Sequence, residues 1–530
     1  MISQDVLDVG TQGGLCFLVT AIFSVVATIV TCHVAAKVGL VDHPDNRRKT
    51  HPRPVPLGGG AAVFIATVLG LLVCLGMQGK EFASRVVSEL SLAALGVAAL
   101  WIVLVGVWDD SWGLRGRHKL LAQLVAAGFL VATGFFFDKI SIFGQSVDLG
   151  ILAVPFVMFW FLGAMNAVNL LDGADGFAGT IGLLMTIGLG LLAAAAGRPE
   201  ASLVAFTFAG AILGFLIFNL PPARIFLGDA GSMLVGLVIA ALSIKASLKG
   251  AGTLLLAAPL ALWTIPILDC LAAIIRRTLT GKSIYSTDRA HIHHRLLNKL
   301  GSNRLLLVVI GAIGLISAIG ALGSIIWNSD WIALLSIISV VTILVVGDLF
   351  GRGELYLLLR SLRRLAQPLI ASPKNSGNGC EDSAVHIQGS VNWEPLWDEI
   401  RQELQGRGVE SLYLDLNITA LGESFHGRWP ETTDGEGEEA CRICVIVPLM
   451  LSEVRIGTLR CECTRRNNGE GDFVAALFDY AQEVENRIAR LLEATGSKRE
   501  LSSAGVTSGS AQVNGSSKYA KSSLLRRIPR

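Results

Sequence analysis

The sequence predicts an all-α polytopic membrane protein of about eleven transmembrane helices, followed by a C-terminal cytoplasmic α/β domain. Three observations carry that expectation. The 530 residues have a mean hydropathy of +0.57 and only 16% charged residues, against about 25% in soluble globular chains. The deficit is uneven: apolar runs fill residues 1–350, and residues 351–530 have a soluble composition. The basic residues between the runs also fall mostly in alternate breaks.

The runs long enough to cross a bilayer are 13–36, 57–77, 88–108, 119–137, 150–168, 177–196, 202–220, 226–246, 252–275, 304–327 and 331–350. The first, from Leu15 to Leu40, lacks a basic leader and reads as a span rather than a signal peptide. With the N-terminus outside, the inner breaks hold Lys37, Arg47, Arg48, Lys49, Arg53, Arg115, Arg117, Lys119, Arg224, Arg276, Arg277, Lys282, Arg289, Arg295 and Lys299. The outer breaks hold Lys80, Arg85, Lys139, Arg198 and Lys249. The positive-inside rule therefore puts the C-terminal domain in the cytoplasm. Cys16, Cys32, Cys74 and Cys270 sit in apolar runs without a spacing pattern, which argues against a disulfide framework. A net charge of +2 assigns no partner, and no nucleic-acid partner is expected.

The transmembrane part is read as residues 1–352, and residues 353–390 as an amphipathic segment and linker. In that second part Leu355 to Leu369 is basic and amphipathic, suited to the inner membrane surface, and 371–390 is rich in Ser, Asn, Gly and Pro. Residues 391–494 read as the α/β domain, and 495–530 as a disordered, Ser-rich basic tail with affinity for anionic lipid. No internal repeat is found.

Five polar motifs break the apolar pattern, all on the cytoplasmic side of this topology. The first runs from Lys49 through His51 and Arg53 to Gly58 and Gly59, stiffened by prolines. Its basic residues could meet a phosphate, or the loop could simply orient two spans. The second is Asp109-Asp110-Ser-Trp-Gly-Leu114, followed by Lys119 and Gln123. Adjacent carboxylates at a span end repel each other, and a metal ion or a shared proton relieves the repulsion. A solvated helix end is the plain alternative.

The third motif is Asn166-Ala-Val-Asn169-Leu-Leu-Asp172-Gly-Ala-Asp175-Gly176. Its paired spacings of three set two side chains on one helix face, and such oxygen donors suit Mg²⁺ or Mn²⁺ rather than zinc. An Asx-turn with glycine caps is the alternative. In the fourth, Gly228-Asp229-Ala-Gly231-Ser232, the acid could cap a helix, or the small residues could admit a diphosphate. The fifth runs from Asp269 through Arg276, Arg277 and Lys282 to Asp288-Arg289-Ala-His291-Ile-His293-His294-Arg295. With no cysteine nearby to close a zinc site, histidines mixed with arginines fit a diphosphate, uracil or sugar better.

In their order and spacing these motifs resemble the polyprenyl-phosphate N-acetylhexosamine-1-phosphate transferases, across residues 1 to about 350. The His291-Ile-His293-His294 form is similar to the branch that uses UDP-N-acetylglucosamine in cell-envelope polysaccharide synthesis, and less similar to the phospho-MurNAc-pentapeptide branch. The resemblance implies Mg²⁺, with Mn²⁺ as an alternative, held by Asn169 and Asp229. It implies that Asp109 lies near the lipid phosphate as a base or positioning group with Asp110 beside it, and that Asp109, Asp110 and Asp229 form the catalytic set. Asp172 and Asp175 would shape the metal and nucleotide site. Lys49, His51, Lys119, Arg289, His291, His293, His294 and Arg295 would handle phosphate, uridine or sugar. The implied partners are a UDP-sugar, a polyprenyl phosphate and the membrane. A lipid phosphate is already largely ionised at neutral pH, so positioning and electrostatics should outweigh proton abstraction.

In the C-terminal domain, Ser411 to Leu416, Cys441 to Leu449 and Val454 to Cys463 read as strands and Asp472 to Leu492 as a helix. The pattern faintly resembles the second half of a GAF domain, and implies a regulatory or dimerising role with a homodimer as partner. Cys441 and Cys444 fall on opposite faces of a strand, so Cys441, Cys444, Cys461 and Cys463 read as strand cysteines rather than a metal clamp. The reading from another class, a transporter, predicts mid-span acids and repeat symmetry. Here the acids sit at span ends.

Overall fold

The computed structural model describes residues 4–44, 53–247, 253–279, 291–347, 349–351, 355, 383–388, 391–407, 409–418, 423–429, 442–451, 454–464 and 470–494. The chain divides into two compact units, Met1–Ile274 with Ala290–Arg352, and Ile275–Arg289 with Gly353–Arg530.

The first unit begins with α1 (Gln4–Val38), joined to α2 (Gly59–Met77) through an antiparallel ribbon of β1 (Val41–Asp42) and β2 (Val55–Pro56). It continues through α3 (Lys80–Glu89), α4 (Leu92–Trp112), α5 (Gly116–Ala132) and a hairpin of β3 (Lys139–Ile142) and β4 (Gln145–Asp148). Then come α6 (Ala153–Leu171), α7 (Phe177–Ala195), α8 (Pro199–Asn219) and α9 (Gly228–Ser247). β5 (Thr253–Leu255) pairs parallel to β3, giving a three-stranded sheet in the order β4-β3-β5. α10 (Ala257–Leu262), α11 (Thr264–Leu279), α12 (Ile292–Leu300), α13 (Asn303–Ile326) and α14 (Asp330–Val346) follow.

Among the described residues, eight helices are long and apolar enough to cross a membrane. Of the eleven expected runs, the other three hold helices that fall short of this standard. α5 and α14 have 17 residues each, short of a full crossing at that standard. The 252–275 run breaks after Leu262 into α10 and α11. Pro266 has no N–H to donate to the Leu262 carbonyl, so the helix cannot continue unbroken there. The amphipathic α3 and the β3-β4 hairpin fall in stretches read as plain loops, and β5 takes the start of the 252–275 run, read as part of a span. The hairpin turn places Phe143 and Gly144 at positive φ, and Phe143 is held there by its N–H on Asp330 Oδ2 (2.5 Å) and its ring on Trp331.

α9 is the central helix. Its span is 94% buried, against 22% for α1. It packs against α2, α4, α6 and α7. Two of these contacts need glycine: a Cβ at Gly106 of α4 would overlap Ala230, and one at Gly60 of α2 would overlap Ala230 and Gly231. Close backbone approach is the main source of attraction between helices in lipid, where apolar burial gains nothing. The small residues of the fourth motif thus seat α9 between its neighbours. The same end is tied to the proline-rich loop by Phe226 N to Pro56 O (2.9 Å) and Gly59 N to Phe226 O (3.0 Å).

In the second unit, the strands are β6 (Ser383–Gln388), β7 (Ser411–Ile418), β8 (Glu423–Trp429), β9 (Arg442–Leu451) and β10 (Val454–Thr464). They form an antiparallel sheet in the order β6-β8-β7-β10-β9. α15 (Glu394–Gly406) and α16 (Glu470–Ala494) supply Trp397, Ile400, Val484 and Ile488 to a core with Leu412, Leu414, Leu459 and Cys461. The expected strands and helix are present, and β6 corrects the reading of 383–388 as linker: it pairs with β8, a strand also missed. Cys461 is buried opposite Val445, while Cys444 stands opposite Glu462. The rest of Leu355–Leu369 and the 495–530 tail lie outside the described residues.

The packing of α9 predicts that Gly106→Val destabilises the protein by about 1–3 kcal/mol through overpacking. Gly96→Val, on the same helix at a point with nothing within 4 Å of an added Cβ, should leave thermal melting in detergent nearly unchanged. Equal melting temperatures for the two variants would contradict the close contact.

Candidate active site

α4 stops at Gly113, whose φ of +70° turns the chain back, and Leu114 N then bonds Asp109 Oδ1 at 2.6 Å. The next helix brings Lys119 back to the same place. Its Nζ lies 2.8 Å from Asp229 Oδ2, 3.2 Å from Asp109 Oδ2 and 3.2 Å from Asn169 Oδ1. Asn169 Nδ2 donates to Asp229 Oδ1 (2.5 Å) and Ser232 Oγ (2.8 Å). Oxygens from α4, α6 and α9 therefore surround one ammonium contributed by α5. The Asp109 and Asp229 carboxylates also touch each other, so the group has more negative charge than Lys119 balances.

Asp110 has a different task from Asp109. Its Oδ1 accepts from Asp229 N (2.9 Å) and its Oδ2 from Ala230 N (3.3 Å). A carboxylate on the first N–H groups of a helix satisfies their bonding and favours the positive end of its dipole. The adjacent acids thus face separate partners, the ammonium for Asp109 and the head of α9 for Asp110.

The loop from Asp172 to Gly176 meets the same helix head. Asp172 accepts the Gly228 N–H, and burial pushes its carboxyl up to about 8, aided by the charges of Asp229 and Asp110. Asp175 Oδ2 accepts from Ala223 N at 3.0 Å, tying this loop to the one before α9. A second tie is Asn219, buried at the end of α8, which takes Gly176 N on Oδ1 (3.1 Å) and donates Nδ2 to Ile225 O (2.8 Å). Asn219 was missed from the sequence. Its only signal was a carboxamide at the end of an apolar run.

The histidine motif is set by Asp269 of α11, fully buried, which accepts from Ile292 N (2.8 Å) and lies 3.0 Å from His291 Nδ1. Asp269 stood in the fifth motif but not among the expected site residues. His293 lies against the third motif: a Cβ at Gly173 would overlap its ring. It also packs on Phe177 and on His294, at 5.7 and 4.2 Å between centroids. Burial holds His293 well below the usual imidazole range, followed by the effect of His294 and His291, so it is neutral near pH 7. Arg295 stacks over Phe350 at 5.5 Å. Lys49, His51 and Arg289 lie outside the described residues.

The donor set bears on which cation fits. Among the described residues, no three His, Cys, Asp or Glu side chains are grouped to hold a metal. Two carboxylates and one carboxamide oxygen already face a single cation. That is a hard, all-oxygen set of the kind that binds Mg²⁺ with remaining ligands from substrate phosphates. The residues fit such an ion.

Because the Asp172 carboxyl is raised from 3.8 to about 8, its neutral form is the one the fold favours. That stability is complete below about pH 4 and is lost as pH rises through about 8. In metal-free protein, the melting temperature of the wild type should fall relative to that of Asp172→Asn from about pH 5 to about pH 8. Parallel slopes for the two proteins would contradict the assignment.

Residues 92–247 match the family model described as Glycosyl transferase family 4. The chain is 34% identical over 327 residues to a probable undecaprenyl-phosphate N-acetylglucosaminyl 1-phosphate transferase of Bacillus subtilis, covering 61% of this chain and 88% of the relative. It is 32% identical over 364 residues to a decaprenyl-phosphate N-acetylglucosaminephosphotransferase of Mycobacterium tuberculosis, covering 64% and 89%. A phospho-N-acetylmuramoyl-pentapeptide-transferase of Streptococcus sanguinis is 31% identical over 302 residues, covering 53% and 87%. With such relatives matched over most of their length, the chain belongs to the polyprenyl-phosphate N-acetylhexosamine-1-phosphate transferase family.

Proposed function

We propose that the protein transfers N-acetylglucosamine-1-phosphate from UDP-N-acetylglucosamine to a polyprenyl phosphate such as undecaprenyl phosphate, releasing UMP. The observation that carries this reading is the convergence of Asp109, Asn169 and Asp229 on Lys119 at the head of α9. The named N-acetylglucosamine transferases at 34% and 32% identity support the donor and the lipid. The product would be the first lipid-linked intermediate of a cell-envelope polysaccharide.

In this reading a lipid phosphate oxygen bonds to the β-phosphorus of the donor, and the bond from that phosphorus to the UMP oxygen breaks. Asp229 and Asn169 would hold Mg²⁺, which supplies charge neutralisation and Lewis acidity at the diphosphate. Asp110 holds the Asp229 backbone in place. Asp109 and Lys119 orient charge beside the incoming lipid phosphate, a positioning role that needs no strong base. His293, being neutral, suits the flat face of uridine or the sugar better than a phosphate. Asp172 and Asp175 shape the nucleotide side of the site, while His291, His294 and Arg295 line the approach from the histidine motif.

The protein is a multi-pass membrane protein. We place the active end in the cytoplasm because the loops there hold Arg53, Arg115, Arg117, Arg224 and Lys299, against Lys80, Arg85, Lys139 and Arg198 at the other end. The second unit is an accessory domain with a regulatory or dimerising role, and its GAF-like character and a homodimer belong to the same proposal.

Purified full-length protein in nanodiscs, given undecaprenyl phosphate, Mg²⁺ and UDP-N-acetylglucosamine, should release UMP. Asp229→Ala and Asn169→Ala should each lower the rate by about 10²–10³-fold. UMP appearing only with UDP-MurNAc-pentapeptide would move the protein to the other donor branch. No UMP with any donor would refute the reading.

A further inference from the structure

One helical turn inside the charged cluster lies a second polar layer in an otherwise apolar interior. Gln123 of α5, 1% exposed, accepts on Oε1 from Asn166 Nδ2 of α6 at 2.8 Å. The same Nδ2 donates to Leu162 O (2.8 Å), and Gln123 Nε2 reaches Met233 Sδ of α9 at 3.3 Å. The positions match the outer layer helix by helix. Gln123 is one turn from Lys119, Asn166 one turn from Asn169, and Met233 one turn from Asp229.

We propose that the Gln123–Asn166 amide pair is a positioning element for the cation site, fixing the rotation of α5 and α6 against α9. The proposal rests on the assignment of Asn169 and Asp229 to a divalent cation. Its physical basis is directionality. Apolar contacts between helices tolerate small rotations about the helix axes, whereas an amide pair does not, since a slip takes the buried Gln123 oxygen away from the Asn166 donor. Rotation of α6 would carry the Asn169 carboxamide away from Asp229 and from Lys119. Rotation of α5 would do the same to Lys119. Met233 is a weak acceptor that fills the space beneath without competing for the Asn166 bond. Groups that orient metal ligands in this way commonly change metal affinity 10–100-fold when removed.

A pair that only held the bundle together would act on stability alone, so the test reads metal affinity directly. Gln123→Met keeps length and volume while deleting the bond to Asn166, and Asn166→Leu deletes it from the other side. Binding of Mn²⁺ is measured by the loss of its free electron paramagnetic resonance signal, with melting temperature and UMP release followed in parallel. Each variant should weaken Mn²⁺ binding about tenfold, and the double variant should be no weaker than either single one. A folded Gln123→Met protein with Mn²⁺ affinity within about twofold of wild type, below the lower end of the usual range, would overturn the proposal. So would independent, multiplying losses in the double variant. Wild-type protein that neither binds Mn²⁺ nor releases UMP would instead remove the functional reading beneath it. If Gln123→Met does not fold, Asn166→Leu decides by the same criterion.

Discussion

Asp229 stands at the head of the most deeply buried helix in the membrane unit, and its carboxylate has to be matched there. A charge in such a place is tolerated only with partners close by. The structure supplies Lys119 and Asn169 on its side chain and Asp110 on its backbone. Those partners come from α5, α6 and α4, so one carboxylate fixes the mutual placement of four helices. The glycine contact of Gly106 serves the same end, since Asp110 reaches the Asp229 backbone only if α4 approaches α9 closely.

The charge balance of this cluster supports the proposed cation site. Among the described residues, Asp109, Asp110, Asp172 and Asp229 outnumber the Lys119 ammonium, and burial, aided by the neighbouring carboxylates, keeps the proton on Asp172. A cluster left short of positive charge in a low-dielectric setting favours a divalent cation. A diphosphate donor and a lipid phosphate, both anionic, can then meet beside it without prohibitive repulsion. The histidine motif adds a neutral aromatic wall rather than more charge, because burial removes the proton from His293.

The positions of the spans, the grouping of the motifs and the strands around Leu414 and Leu459 were legible because each is a matter of local composition and period. What was not legible is equally specific. Whether Asp109 and Asp110 share a partner depends on how α9 is aimed between α2 and α4, which no local pattern encodes. Asn219 acts through residues at the ends of other elements, so it looked like an ordinary polar residue in an apolar run, and Asp269 stood in the histidine motif without its tie to His291 being visible. The small residues after Asp229 read as room for substrate, but their neighbours in space are the backbones of two other helices. β6 was hidden because its six residues pair with β8, about forty positions later in the chain.

The central claim is that the oxygens around Lys119 form a divalent-cation site at the head of α9. Its most direct test is an anomalous-scattering map from crystals of the full-length protein grown with Mn²⁺ and UDP-N-acetylglucosamine. The account predicts a single strong Mn²⁺ peak in contact with Asp229 and Asn169. A peak at the His291–His294 segment instead, or occupied nucleotide with no metal beside Asp229, would contradict it.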